Sequence, residues 1–261
     1  YIPPDQAFLD GLARGLLSQV REVPDALVTT TILLPTRRAC RTLRDLFLNA
    51  NNGAPLLLPH LRAVADVDAD ELVMLLSAAD GGAGTAFLPP PAISSLERLA
   101  VLAQFVQKFD PEIDFAGALT LAGALAEFLD MIQNEDLDLA QLDHLAPAEF
   151  STHWQITLKF LGILRRNWPG YLTAAGRMDP PQRRNVLLRT LANLWEAKPP
   201  SGPVIMAGVT GSIKSAARLM QVVADLPEGQ VILSGYDPDF DPTVLSDADV
   251  QHPYFELKQM V

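Results

Sequence analysis

Residues Val204–Asp241 read VIMAGVTGSIKSAARLMQVVADLPEGQVILSGYDPDFD. Val204–Ala207 is an uninterrupted apolar run that stops at Gly208. Gly211 and Ser212 stand where a helix N-cap is expected. Ile213, Ala216, Ala217, Met220, Val223 and Ala224 then recur at helical spacing. Pro227-Glu228-Gly229 breaks that helix, and Val231–Leu233 is a second short apolar run. A strand buried on both faces shows no polar alternation, as in both runs. Two such strands joined by one helix form a parallel βαβ unit, which needs further strands and covering helices from elsewhere in the chain.

Working outward, Thr29–Leu34 (TTTILL) is β-branched and apolar and reads as a buried strand. Pro35 ends it, and Thr36 is positioned to cap a helix over Arg37–Leu48. Before it, Phe8, Leu9, Leu12, Leu16, Leu17 and Val20 mark an amphipathic helix that Pro24 closes. After it, Asn51-Asn52-Gly53 is a turn, and Leu56–Leu58 reads as a short third strand running into Pro59-His60-Leu61-Arg62. An acidic DVDADE segment, a helix-like LVMLLSAA and the connector DGGAGTAFLPPPA follow.

From Ile93 the pattern becomes helical. Helices are expected from Ser94/Ser95 to Phe109, over Phe115–Gln133, Leu137–His144 and Phe150–Asn167, and from Pro180-Pro181 to Trp195. Asp110-Pro111 breaks the first, and Trp168-Pro169-Gly170 reads as a turn. Lys198–Pro203 leads back to the βαβ unit. The fold class is therefore α/β, a parallel sheet interrupted by an inserted all-α subdomain. The expected boundaries are residues 1–90 and 200–261 for the two α/β parts and 91–199 for the insertion. Neither α/β part is large enough to bury a parallel sheet alone, so one shared sheet is expected.

Composition narrows the function. The chain has 261 residues, a formal net charge of -11 and one cysteine, Cys40. One cysteine excludes an internal disulfide and a cysteine-rich metal site. No apolar run approaches the ~20 residues of a membrane span, and no basic segment followed by an apolar one opens the chain. We expect a cytoplasmic protein. A chain that starts at Tyr1 and stops just after FELKQMV is expected to be a piece of a longer one. The acidic balance opposes nucleic acid globally, so any DNA contact needs a local basic patch.

A nucleotide-hydrolysing domain needs a G-x-x-x-x-G-K-S/T loop. The nearest string, Gly208–Ser215, has Lys214-Ser215 but no glycine directly before the lysine. Glycines there serve tight packing more often than phosphate binding. The strand end Ala207-Gly208-Val209-Thr210 carries no carboxylate to hold Mg²⁺ or activate water. His60, His144, His153 and His252 are scattered, and Cys40 reads as a small buried hydrophobe. Asp66/Asp68 and Asp237/Asp239 offer carboxylate pairs for a cation but read first as solvated loop charges, Glu112/Asp114 and Glu135/Asp136/Asp138 read as loop or cap charges, and Arg165/Arg166 and Arg183/Arg184 as solvated helix faces. No metal and no cofactor is expected. The sharpest local signal is Arg37, Arg38, Arg41 and Arg44. Arg37 and Arg38 follow a buried strand, where α/β sheets bind ligands, and suit a phosphate. Pairing with the surplus carboxylates is the competing reading.

The strand-turn-helix ILLPTRRACRTLRDLFL resembles the unit of UvrD-like superfamily-one helicases whose Thr-containing turn contacts the backbone of single-stranded DNA. VIMAGVTGSIKSAARLMQVVADLPEGQVILSGYDPDFD is similar to the two motifs that follow in those enzymes. With IPPDQAFLDGLARGLL and APLLLPHLRAVADVDADEL, these strings most resemble the N-terminal region of the AddB family, alphaproteobacterial type. That family supplies a subunit of the AddAB helicase–nuclease, which acts in recombinational double-strand break repair. The likeness is weaker through residues 91–197.

The resemblance implies a RecA-like, P-loop NTPase-like sheet with a helical insertion, DNA as a partner, and an AddA-type motor subunit as another. It implies DNA-backbone contacts at Thr36, Arg37, Arg38 and Arg41. Gly208, Thr210, Gly211, Lys214 and Asp237 then fall on a degenerate nucleotide site. PPDQAFLDGLARGLL replaces the phosphate loop, and the acidic motif is gone, so ATP hydrolysis is not expected. Two alternatives stay open. One is an enzyme using a nucleotide or sugar-nucleotide at the Gly208–Ser215 turn. The other is a protein–protein module docking through the helical block, Phe150–Asn167 above all.

Overall fold

The computed structural model describes residues 2, 6–20, 26–51, 55–64, 89–137 and 161–234. The DVDADE segment, the glycine- and proline-rich connector, the helix expected over Leu137–His144, residues 150–160 and the Gly235–Asp239 turn lie outside the described residues, Leu137 apart.

Four strands form one all-parallel sheet: β1 (Thr31–Leu34), β2 (His60–Ala63), β3 (Val204–Ala207) and β4 (Gly229–Ile232), in the order β2-β1-β3-β4. Thr31 pairs with both His60 and Val204, and Val204 with Gly229, so the strands run in step. The shared sheet joins the two ends of the chain, because β1 and β3 are central neighbours.

The helices are α1 (Phe8–Val20), α2 (Ala26–Thr29), α3 (Arg37–Ala50), α4 (Ser95–Phe109), α5 (Phe115–Asn134), α6 (Trp168–Ala175), α7 (Pro180–Ala197) and α8 (Lys214–Asp225). Side chains alternate across each strand, and the two faces gather different helices. Ile32, Leu34, Leu61, Ile205, Ala207 and Ile232 pack with Leu12, Leu16, Leu43 and Phe47 of α1 and α3. Leu33, Val204, Met206 and Val231 pack with Leu188, Leu191 and Trp195 of α7 and with Leu219, Met220 and Val223 of α8. Both faces are covered, which is what removes polar alternation from β1 and β3.

Several boundaries shift from the sequence reading. The strand expected over Leu56–Leu58 is β2, His60–Ala63. Pro59 has no N–H, so the ladder opens at His60, whose N–H bonds to the Thr30 carbonyl at 2.9 Å. Leu56 and Leu58 instead pack as loop residues against the α1–α3 layer. Thr29, expected to open the first strand, instead ends the helical turn Ala26–Thr29, and β1 starts at Thr31. The expected cap Gly211/Ser212 is displaced to Ile213, which starts α8 without a side-chain cap. At Gly229 an added Cβ would lie 1.8 Å from the Val223 carbonyl oxygen, so the strand can begin that close to α8 only with glycine.

The chain divides into two compact units, one of Tyr1–Phe87 with Leu187–Val261 and one of Leu88–Val186. The sequence pattern placed the second boundary at the 199/200 linker. The units instead meet within α7, whose first turns belong to the helical unit and whose residues from Leu187 belong to the sheet unit.

The helical unit holds α4, α5, helical residues 161–166, α6 and the start of α7. Ser94 caps α4 by accepting the Glu97 N–H at 3.2 Å, and Asp114 caps α5 by accepting the Gly117 N–H at 2.8 Å. Trp168-Pro169-Gly170 is not a turn but the first turn of α6, where proline at a helix start costs no hydrogen bond. Two segments near the ends of the unit run parallel and are bonded to each other: Ala92 bridges Met178, and Ile93 N–H donates to the Met178 carbonyl at 2.9 Å.

With two charges in 20 residues, α5 is long and apolar enough, by length and composition, to cross a membrane. No other helix among the described residues is. Its Ala118, Ala122, Leu125 and Leu129 lie in the core of the helical unit, which is compatible with a soluble protein.

Candidate functional site

The chain leaves β1 towards β2 on one side and β3 towards β4 on the other. Helices α3 and α8, which make those connections, lie on opposite faces. The strand order therefore reverses between β1 and β3. The turns after these two strands diverge there, and in sheets of this kind the crevice outside the carboxyl ends at that point is where ligands bind. Leu33 is in register with Met206, so Pro35-Thr36 and Gly208-Val209 leave the sheet as neighbours.

On the β1 side, Thr36 is extended and its Oγ1 accepts the Ala39 N–H at 3.1 Å. This caps α3 and leaves the hydroxyl proton available to an acceptor. Arg37, Arg38 and Arg41 are exposed. Arg38 and Arg41 form no ion pair among the described residues, whereas Arg44 is paired with Asp45 at 3.2 Å. The first turn of α3 has no acidic residue.

On the β3 side, Gly208 (φ +68°) and Gly211 (φ +74°) adopt the left-handed conformation. Thr210 is exposed, and its hydroxyl lies 3.3 Å from that of Ser212. Lys214 is exposed and Ser215 buried at the start of α8. A Cβ on Gly208 would meet the Phe8 ring at 2.7 Å. Phe8, at the first position of α1, lies over this turn and occupies the space a larger residue would need. Sequence reading offered packing as one role for Gly208 but gave no sign of Phe8.

Pro35–Arg38 and Gly208–Lys214 contain no aspartate or glutamate and carry three cations between them, Arg37, Arg38 and Lys214. The crevice thus combines donors and positive charge on the β1 side with a tight, aromatic-packed turn on the β3 side. It is suited to binding an anion. Neither turn offers a general base or a carboxylate ligand. Asp237, the remaining expected position, lies outside the described residues. Among the described residues no three His, Cys, Asp or Glu side chains group as a metal site.

A polar cluster the sequence did not reveal lies in the helical unit. Asp179, 1% exposed, accepts the Trp168 indole N–H at 2.6 Å and a Gln133 amide N–H at 3.0 Å. Arg98, 6% exposed, stands with Nε 2.9 Å from Asp179 Oδ1, a charged contact rather than an aligned hydrogen bond, and with a terminal nitrogen 2.7 Å from Asp130. Arg183 was expected on a solvated face but is buried, and its Nε donates to the Pro90 carbonyl at 2.8 Å. Arg184 is half-buried and donates to Asn134. Arg165 and Arg166 are exposed. These contacts tie Pro90, Asp130, Gln133, Asn134, Trp168 and Asp179 together within the one unit, so the cluster acts as a staple. Its one legible sign was Asp179 directly before Pro180-Pro181 at a helix start.

Half-buried Tyr171 stacks on Trp168 with ring centroids 5.7 Å apart and donates to Glu97 at 3.2 Å. Burial first, then this bond to a carboxylate, push its pKa above the usual tyrosine value.

No protein-family model matches the chain, and a search of curated proteins gives no match.

Proposed function

We propose that this chain is a helicase-like DNA-binding and scaffolding domain without ATPase chemistry, of the AddB type, in a cytoplasmic double-strand break repair complex. Its sheet is read as a degenerate RecA-like one, and its partners as DNA and an AddA-type motor subunit. One observation carries the reading. The switch point between β1 and β3 presents Thr36, Arg37 and Arg38, with Arg41 one turn on, and neither flanking turn holds a carboxylate. Backbone phosphate is the ligand this chemistry suits, since guanidinium groups and helix-start N–H groups bind it with no catalytic group needed. Thr210, Gly211 and Lys214 are read as retained architecture of a nucleotide site, with Gly208 kept for its packing against Phe8.

In the assembled complex, Arg37→Ala/Arg38→Ala is expected to weaken single-strand binding and to flatten its salt dependence by about 0.7 per lost phosphate contact. Unchanged affinity and slope would sink the assignment. Calorimetric titration with ATP and Mg²⁺ is expected to give no heat of binding. A micromolar site would favour a nucleotide-using enzyme at Gly208–Ser215 instead.

A further inference from the structure

Helix α3 buries Leu43 and Phe47 and half-buries Ala39, Cys40 and Leu46. The opposite face is cationic. Arg37, Arg41 and Arg44 recur at i, i+4 and i+7, so they form one exposed row, with Arg38 beside it. Seven residues of helix rise by about 10 Å. One strand of B-form DNA presents about three phosphates over that length. The single carboxylate among the exposed residues of this helix is Asp45, engaged by Arg44 in a surface pair of the kind that contributes little.

We infer that the outer face of α3, through Arg41 and Arg44, is a phosphate track. It extends the anion site from the Thr36–Arg38 turn along two turns of helix and takes the sugar-phosphate backbone of DNA irrespective of sequence. The inference rests on the function proposed above and adds Arg44, Asp45 and the direction of the strand. Two observations favour a nucleic acid over an acidic protein segment. A protein interface has an apolar centre, yet no exposed apolar residue lies among these arginines; Leu48, 41% exposed, follows beyond the row. Guanidinium forks at regular intervals on a rigid helix match phosphate oxygens bidentately. The sequence independence follows from the ligand group, since contacts to phosphate oxygens carry no information about the bases.

The test measures binding of a labelled oligo-dT strand by the assembled complex across a salt series. Arg41→Ala and Arg44→Ala are each expected to reduce the log–log salt slope by about 0.7. Asp45→Asn frees Arg44 and removes a repelling charge, so it is expected to tighten binding by about two- to threefold at low salt. Arg14→Ala, on the exposed side of α1, is expected to change neither. If Arg37→Ala/Arg38→Ala weakens binding while the Arg41, Arg44 and Asp45 variants do not, the track is overturned and the turn site stands. If no variant matters, both fall. If polyglutamate competes as well as oligo-dT at equal charge, the face belongs to an acidic protein and the inference is overturned.

Discussion

The two units use arginine in opposite ways. In the helical unit Arg98 and Arg183 are almost fully buried and committed to partners within that unit. In the sheet unit Arg37, Arg38 and Arg41 stand on an exposed helix start, and no carboxylate precedes them on the turn. A buried guanidinium must be matched or it unfolds its surroundings, so it reports on stability. An exposed one costs little to leave open and reports on binding. The contrast fits a structural role for the buried arginines of the helical unit and, under the function proposed above, a binding role for the exposed ones of the sheet unit.

The strongest way to break the contrast is at Asp179. Asp179→Ala leaves Arg98 under-compensated and the Trp168 N–H without an acceptor. It is expected to cost about 3–5 kcal/mol in denaturant unfolding of the chain. Arg38→Ala, by comparison, is expected to stay within about 0.5 kcal/mol of wild type. An Asp179→Ala variant as stable as Arg38→Ala would dissolve the distinction. Replacing both charges, Arg98→Met/Asp179→Leu, is expected to be less damaging than Asp179→Ala alone, because the charge left without its partner is then Asp130, 41% exposed and within reach of water, rather than a buried guanidinium.

The next effect tests the β3 side of the crevice. Gly208→Ala puts a Cβ on a left-handed residue and against the Phe8 ring. It is expected to cost about 1–3 kcal/mol. In the Phe8→Ala background that cost should shrink, since one of its two causes is gone. An identical cost in both backgrounds would show that Phe8 does not enforce the glycine.

Smaller still, Thr36→Ala removes the cap on α3 and is expected to cost about 1 kcal/mol. If the hydroxyl also serves a ligand, binding should fall beyond what the stability loss explains, and Thr36→Ser should recover both.

The smallest effect is one of pH. Tyr171 has a raised pKa in the fold, through burial and its bond to Glu97. Its contribution is therefore fully present below the unfolded value of about 10 and is lost as pH rises through the higher folded value. Tyr171→Phe should lose stability less steeply than wild type on the alkaline side. Parallel alkaline curves for the two proteins would remove Tyr171 from this account.

Much of the sheet was legible because its signals are local. β1 and β3 lack polar alternation, Thr36 precedes a helical period, and Pro227-Glu228-Gly229 can only be a break. From these, the parallel pairing and the shared sheet follow. Position Leu56–Leu58 misled because three leucines outweighed Pro59, although the missing N–H of Pro59 decides where the ladder starts. Trp168-Pro169-Gly170 misled because proline and glycine mark breaks and helix starts alike. The crevice was legible on the β1 side, where charge and capping lie in consecutive residues. It was not legible at Gly208, whose constraint comes from a ring 200 residues earlier in the chain. Arg98, Asp130 and Asp179 are likewise distant in sequence, and a helical arginine reads as solvated until the fold brings its partners to it.

The bridge between Ala92 and Met178 has a consequence for how this chain can change over time. Residues 92 and 178, near the two ends of the helical unit, are held beside each other whatever lies between them. Helices can be added, shortened or exchanged between them without altering the path the flanking chain must follow. Because the bridge is parallel, the shortest segment that could stand in for the helices is a crossover of about a dozen residues rather than a hairpin turn.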